Sequence, residues 1–209
     1  MDLQNPLRSL VPSLDSATLE VLTGTESGMG TSRIRQLAGR GSWTGHQKVL
    51  DRLVGHGLVL SEPANAGFTY RLNREHLLAP AVLAAMAVRR ELFARLASAV
   101  AAMDPAPEHA SVFGSFARGE GTDQSDIDLF LIMPDGYDRV EGLWEARLQE
   151  LEDQVLAWTG NRLEVLIVDR SQLVGVATSG EPIFASLRED ALTVHGPDVS
   201  AVLASVASL

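Results

Sequence analysis

The run DIDLFLIMP, Asp126 to Pro134, puts two carboxylates one residue apart at the head of an otherwise apolar strand. Burying a carboxylate costs free energy unless something positive meets it. Alternate side chains on a strand share a face, with Cα atoms two residues apart separated by about 6.6 Å. Asp126 and Asp128 therefore project together, while Ile127, Leu129 and Leu131 project the other way, into a core. Two like charges held so close disfavour each other's ionisation, and no lysine stands nearby to pair with them. A hard divalent cation removes the penalty, and Mg²⁺ takes its oxygens from one or two carboxylates, waters and substrate phosphates. Just upstream, Gly114-Ser115 follows the short apolar strand ASVFG. A tight glycine turn there exposes backbone N–H groups that suit a phosphate anion, and Arg118 adds a positive charge.

The rest of the composition bounds the setting. A chain of 209 residues makes one large domain or two small ones, each able to bury a core. Its 45% hydrophobic and 21% charged residues are ordinary for a globular protein. No apolar run approaches the roughly 20 residues that cross a bilayer. The start MDLQNPLRSL lacks a basic segment followed by an apolar one, and there is no cysteine for disulfides or thiolate metal sites. A cytoplasmic protein with no membrane partner is expected. The charge is uneven: residues 1–80 hold eight Lys+Arg against seven Asp+Glu, and residues 81–209 hold nine against twenty. Such asymmetry points to two modules with different partners.

Local patterns support the division. LDSATLEVLTGT (14–25), TSRIRQLAGRG (31–41) and SWTGHQKVLDRLVGHG (42–57) read as short helices capped by Asp15 or Ser16, Thr31 or Ser32, and Ser42. LVLSEPANAGFTYRL then gives two apolar runs around a Pro-Asn-Gly turn, a β-hairpin. Residues 81–103 predict one long Ala-rich helix, placed in a connecting segment 81–104 between domains 1–80 and 105–209. The second domain alternates strands (ASVFG, DIDLFLIMP, RLEVLIVD, ALTVHG) with helices (138–160, RSQLVGVAT, EPIFASLRE), which means α/β layering.

Taken together, Gly114-Ser115, Ala117-Arg118-Gly119 and Ser125-Asp126-Ile127-Asp128-Leu129 resemble the signature of minimal nucleotidyltransferases of the polymerase-β superfamily. The resemblance implies an α/β (α+β) fold with a small mixed sheet flanked by helices, and a nucleoside triphosphate as substrate. Asp126 and Asp128 would bind Mg²⁺, with two ions expected in such sites. Gly114, Ser115, Arg118 and Ser125 would bind the nucleotide, and a third carboxylate on a neighbouring strand would act with the metals or as base. Glu164, mid-strand between Leu163 and Val165, is the candidate for that role, although the family more often has aspartate there. Asp169 at the strand end is the runner-up. Two other readings stay open: Ser125 as a turn residue, and Arg118 as a surface partner of Glu120 or Asp123. The product would be a nucleoside monophosphate joined to an unidentified acceptor, with pyrophosphate released.

The first module resembles a winged helix-turn-helix over Leu14 to Leu72, mostly α with a β-hairpin wing. In such modules the start of the last helix enters the major groove. Trp43, Thr44, His46, Gln47 and Lys48 would face bases or phosphates, with Arg52 and Arg71 behind them. Trp43 as a core residue is the other reading, and His46 and His56 are expected at the surface. The module is near neutral, so partners other than DNA (RNA, protein or a second copy in a homodimer) fit equally. Besides an enzyme, the sequence admits a DNA-binding regulator whose second domain only senses nucleotide, and a toxin–antitoxin component.

Overall fold

The computed structural model describes residues 1–65, 67–137, 143–178 and 182–206. The chain divides into two compact units, Gln4–Val88 with Asp2, and Arg89–Leu209 with Met1 and Leu3.

The first unit consists of α1 (Pro6–Leu10), α2 (Leu14–Thr23), α3 (Thr31–Ala38), α4 (Trp43–Gly55), the strands β1 (Val59–Ala64) and β2 (Gly67–Leu72), and α5 (Ala79–Met86). The two strands form an antiparallel hairpin that closes at Ala64↔Gly67, and Met29 adds a bridge to Tyr70. Leu22, Ile34, Leu50, Leu53, Val59 and Leu72 form one core. Ser42 caps α4, its Oγ accepting from Gly45 N at 3.0 Å, as its position before the helix implies. The other two caps differ from expectation. Ser13, not Asp15 or Ser16, caps α2. Gly30 precedes α3 without a side-chain cap, because Thr31 is already helical and its hydroxyl donates to Gln47 Oε1 at 2.8 Å.

The second unit runs α6 (Val88–Ala101), β3 (His109–Phe113), α7 (Gly114–Arg118), β4 (Ile127–Met133), α8 (Leu143–Thr159), β5 (Leu163–Asp169), α9 (Arg170–Thr178), α10 (Pro182–Asp190), β6 (Leu192–His195) and α11 (Val199–Val206). The strands make one sheet in the order β5-β4-β3-β6. β4 and β5 are parallel, joined through α8 as parallel neighbours require, and the other pairs are antiparallel. The sheet is therefore mixed, as expected. The expected helix 138–160 is described from Leu143 onward, and residues 138–142 and 181 lie outside the described residues.

Two expectations are corrected. The Ala-rich stretch 81–103 is two helices, not one. α5 sends Ala79 and Val82 into the first unit, while α6 buries Leu92, Leu96 and Val100, an i, i+4, i+8 stripe, in the second. In β4, burial is not confined to Ile127, Leu129 and Leu131. Phe130 and Ile132, on the aspartate face, are buried too, packed with Phe113, Val168, Leu173, Leu187, Val199 and Leu203. Helices cover both sides of this central strand, as is usual where parallel pairing occurs. The acids thus occupy only the N-terminal end of a face that is apolar further along.

Candidate active site

Register places the carboxylates. Asp128 lies opposite Phe113 of β3 on one side and Glu164 of β5 on the other. Directly paired residues of neighbouring strands project to the same face about 4.8 Å apart, so Glu164 joins Asp128 there. Asp126, two residues earlier, shares the face. All three charges are felt at one point: the Asp128 carboxyl is raised above its ordinary range, first by burial and then by Glu164 and Asp126, while Arg118 pulls it down. Asp169 does not join that face. It stands five residues beyond Glu164, hence on the opposite face and about 17 Å along the strand. Its carboxylate accepts from Ser171 Oγ and Gln172 N, both at 2.7 Å, and these bonds hold it below the usual carboxylate range.

The glycine turn abuts Asp128 directly. Gly114 has φ +70°, and a Cβ there would stand 3.0 Å from Asp128 Cγ and closer still to Oδ2. Glycine is needed both for the left-handed backbone and for the approach. Ser115 follows half-buried, and its hydroxyl has no hydrogen-bond partner among the described residues, so it is available to a ligand. Arg118 ends α7 and is engaged by Glu120 (2.8 Å) and Asp190 (3.4 Å). Asp123, the other partner considered, is not bonded to it. Ser125 is a turn residue: its Oγ accepts from Thr122 N at 2.9 Å.

Three supports carried no legible signal in the sequence. Arg89 donates to the carbonyls of Phe116 and Ala117 at 3.4 and 3.3 Å and lies over the Phe116 ring at 5.2 Å, fixing α7 from α6. Buried Asn161 donates to Ser125 O at 2.9 Å, tying the lead-in of β4 to the turn before β5. Ser186 and Asp190 reach Arg118 from α10.

Oxygen-only donors on one face suit a hard cation such as Mg²⁺, and Asp126 with Asp128 supply the one or two carboxylates such an ion takes. Among the described residues no three His, Asp or Glu groups stand close enough to hold a metal ion, so Glu164 is near the pair without closing a cage. Cavities of about 520 Å³ between α6 and α8, and about 250 Å³ beside His109, Ile132 and Pro197, include none of the three acids. On the carboxylate face Asp126 and Asp128 are half-buried and Glu164 is exposed.

In the first unit, Trp43 (50% exposed), Thr44 and Lys48 are at the surface, so Trp43 is no core residue. His46 is a correction: it is fully buried, with Nδ1 2.9 Å from Thr18 Oγ1 and Nε2 2.9 Å from Arg40 O. Both ring nitrogens serve the fold and neither faces solvent. Gln47 is half-buried and bonded to Thr31, Asp51 and Tyr70. Arg52 pairs with Asp15, and Arg71 with Glu62. Among the described residues no helix is long and apolar enough to cross a membrane.

No curated protein and no solved structure matches this chain. A family model does, that of the nucleotidyltransferase domain, over residues 94–174. The matched stretch begins within α6, ends within α9, and contains the Gly114 turn, both aspartates and Glu164. Turn, strand register and family match agree that residues 94–174 carry a nucleotidyltransferase domain.

Proposed function

We propose that this protein is a Mg²⁺-dependent nucleotidyltransferase that moves a nucleoside monophosphate from an NTP to an acceptor hydroxyl. The observation that carries the reading is the pairing of Asp128 with Glu164, with Asp126 on the same face and the Gly114 turn against Asp128. Asp126 and Asp128 hold Mg²⁺, which when bound neutralises triphosphate charge and polarises the α-phosphate. Ser115 and the turn backbone orient the outer phosphates, and Arg118 binds one of them. Glu164 accepts the proton of the attacking hydroxyl at its carboxylate. The acceptor oxygen then bonds to the α-phosphorus as the bond to pyrophosphate breaks. We read the first unit as a winged helix-turn-helix, on the strength of α2, α3 and α4 followed by the hairpin, that brings the enzyme to DNA or to a partner.

A second reading, a regulator that binds nucleotide without turning it over, is favoured by one feature: Glu164 does not close a three-carboxylate cage. Labelled NTPs with Mg²⁺ separate the two. Wild type transfers label to an acceptor in cell extract. Asp128→Asn loses transfer by on the order of 10³-fold, the scale of several kcal/mol of charge stabilisation. Glu164→Gln also loses transfer, and both variants keep the fold by circular dichroism. Nucleotide binding without any transfer by wild type would establish the sensor instead.

A further inference from the structure

Arg118 is held at two of its three guanidinium nitrogens. Nε donates to Glu120 Oε2 at 2.8 Å, and Nη1 to Ser186 Oγ and Asp190 Oδ2, both at 3.4 Å. Ser186 Oγ in turn donates to Asp190 Oδ2 at 3.4 Å, one helical turn apart on α10. Nη2, with two N–H donors, takes no partner among the described residues. The charge still acts on the site, since Arg118 pulls the Asp128 carboxyl down. Asp190 is the last residue of α10, where a carboxylate meets the negative end of the helix dipole. Helix stability gives no reason for an acid there; a cation placed against it does. α10 also lies beyond the span matched by the nucleotidyltransferase domain, so its two side chains are an addition to that core.

We propose that Ser186 and Asp190 are positioning residues that, with Glu120, hold Nε and Nη1 of Arg118 so that Nη2 is presented to a phosphate of the bound NTP. This rests on the nucleotide-binding reading above. A free arginine side chain has many rotamers to lose, and ordering it before the ligand arrives removes part of that cost from binding. With Nε and Nη1 taken by the protein, the two N–H donors of Nη2 are left for phosphate oxygens.

Equilibrium binding of ATP, GTP, CTP and UTP, each with Mg²⁺, to the intact chain tests the proposal. Asp190→Ala raises Kd about three- to fivefold, the scale of one partly exposed ion pair. Asp190→Asn, which keeps an acceptor, recovers part of the loss, and Ser186→Ala gives a smaller effect in the same direction. Arg118→Ala weakens binding as well, and adding Asp190→Ala to it causes no further loss. A pair that only docks α10 on α7 predicts otherwise: a lower Tm with Kd unchanged, or the same Kd penalty in the Arg118→Ala background. Either result overturns the proposal. If wild type binds none of the four nucleotides, this inference and the reading beneath it fall together. If wild type binds and Asp190→Ala and Ser186→Ala bind equally well, this inference alone falls.

Discussion

Gly114 and Asp128 share one small volume, and the site depends on neither being larger. The left-handed φ at Gly114 costs an L-residue about 1–2 kcal/mol, and a methyl group would strike the Asp128 carboxylate. Gly114→Ala is therefore expected to lower stability by about that amount in urea unfolding. It should also cut nucleotide transfer more than tenfold, because the carboxylate must rotate away from Asp126 and Glu164. Full activity with the lower stability would show that the approach of Gly114 has no part in aligning the acid. Residues of this kind are the most legible in sequence. An acid in an apolar strand has few structural uses, so Asp126, Asp128 and Glu164 could be named before any fold was known. Parity along β5 then separates Glu164 from Asp169, and parity requires the register, which no local pattern states. His46 was illegible for the opposite reason. A histidine between Gly45 and Gln47 has the surroundings of a surface residue, and its bonds to Thr18 and Arg40 come from elements distant in sequence.

At the scale of elements, β3 carries a titratable group through the middle of the sheet. His109 is buried in a strand with no exposed residue, its Nδ1 2.7 Å from the Pro197 carbonyl and its Nε2 without a partner among the described residues. A carbonyl can only accept, so Nδ1 carries the proton and the neutral ring leaves Nε2 bare. Burial holds His109 below its ordinary 6.5; the Pro197 bond and Asp198 push up, and His195 pushes down. A histidine depressed in the fold binds its proton more readily when unfolded. The stability it contributes is whole above 6.5 and is lost as pH falls from there through the folded value. Between pH 7 and 5 the wild type should lose stability more steeply than His109→Gln, by at most about 1.4 kcal/mol per pH unit. Taking the difference between the two removes every contribution common to both proteins. Parallel curves would mean that His109 takes up its proton as readily in the fold as in the unfolded chain. Element type was largely readable from apolar periodicity, but the break between α5 and α6 was not. An alanine-rich run contains no residue that stops a helix, and the chain divides there because two cores claim its two ends.

The charge of the whole molecule sets a limit on what the first unit can bind. Eight basic residues lie in 1–80, but Arg52 and Arg71 are paired with Asp15 and Glu62, and Arg8 lies 3.8 Å from Asp2. Arg40 and Arg74 donate to backbone carbonyls of their own unit. Lys48, Arg33 and Arg35 are exposed and in no ion pair among the described residues, although Arg33 Nη1 donates to Gln36 Oε1 at 2.8 Å, so about three phosphates can be neutralised without breaking an ion pair of the fold. Each neutralised phosphate adds about −0.9 to the slope of log K against log salt. For a labelled duplex titrated between about 50 and 200 mM salt, the expected slope is therefore no steeper than about −3. The remaining residues, at nine basic against twenty acidic, repel the duplex and weaken binding further. Lys48→Glu should flatten the slope by about one, as loss of a phosphate contact does. A measured slope of about −4.5 would require Arg52 and Arg71 to leave their carboxylates for DNA. Affinity with no salt dependence at all would turn the winged-helix reading toward a protein partner, for which exposed Trp43 is better suited than any cation in the unit.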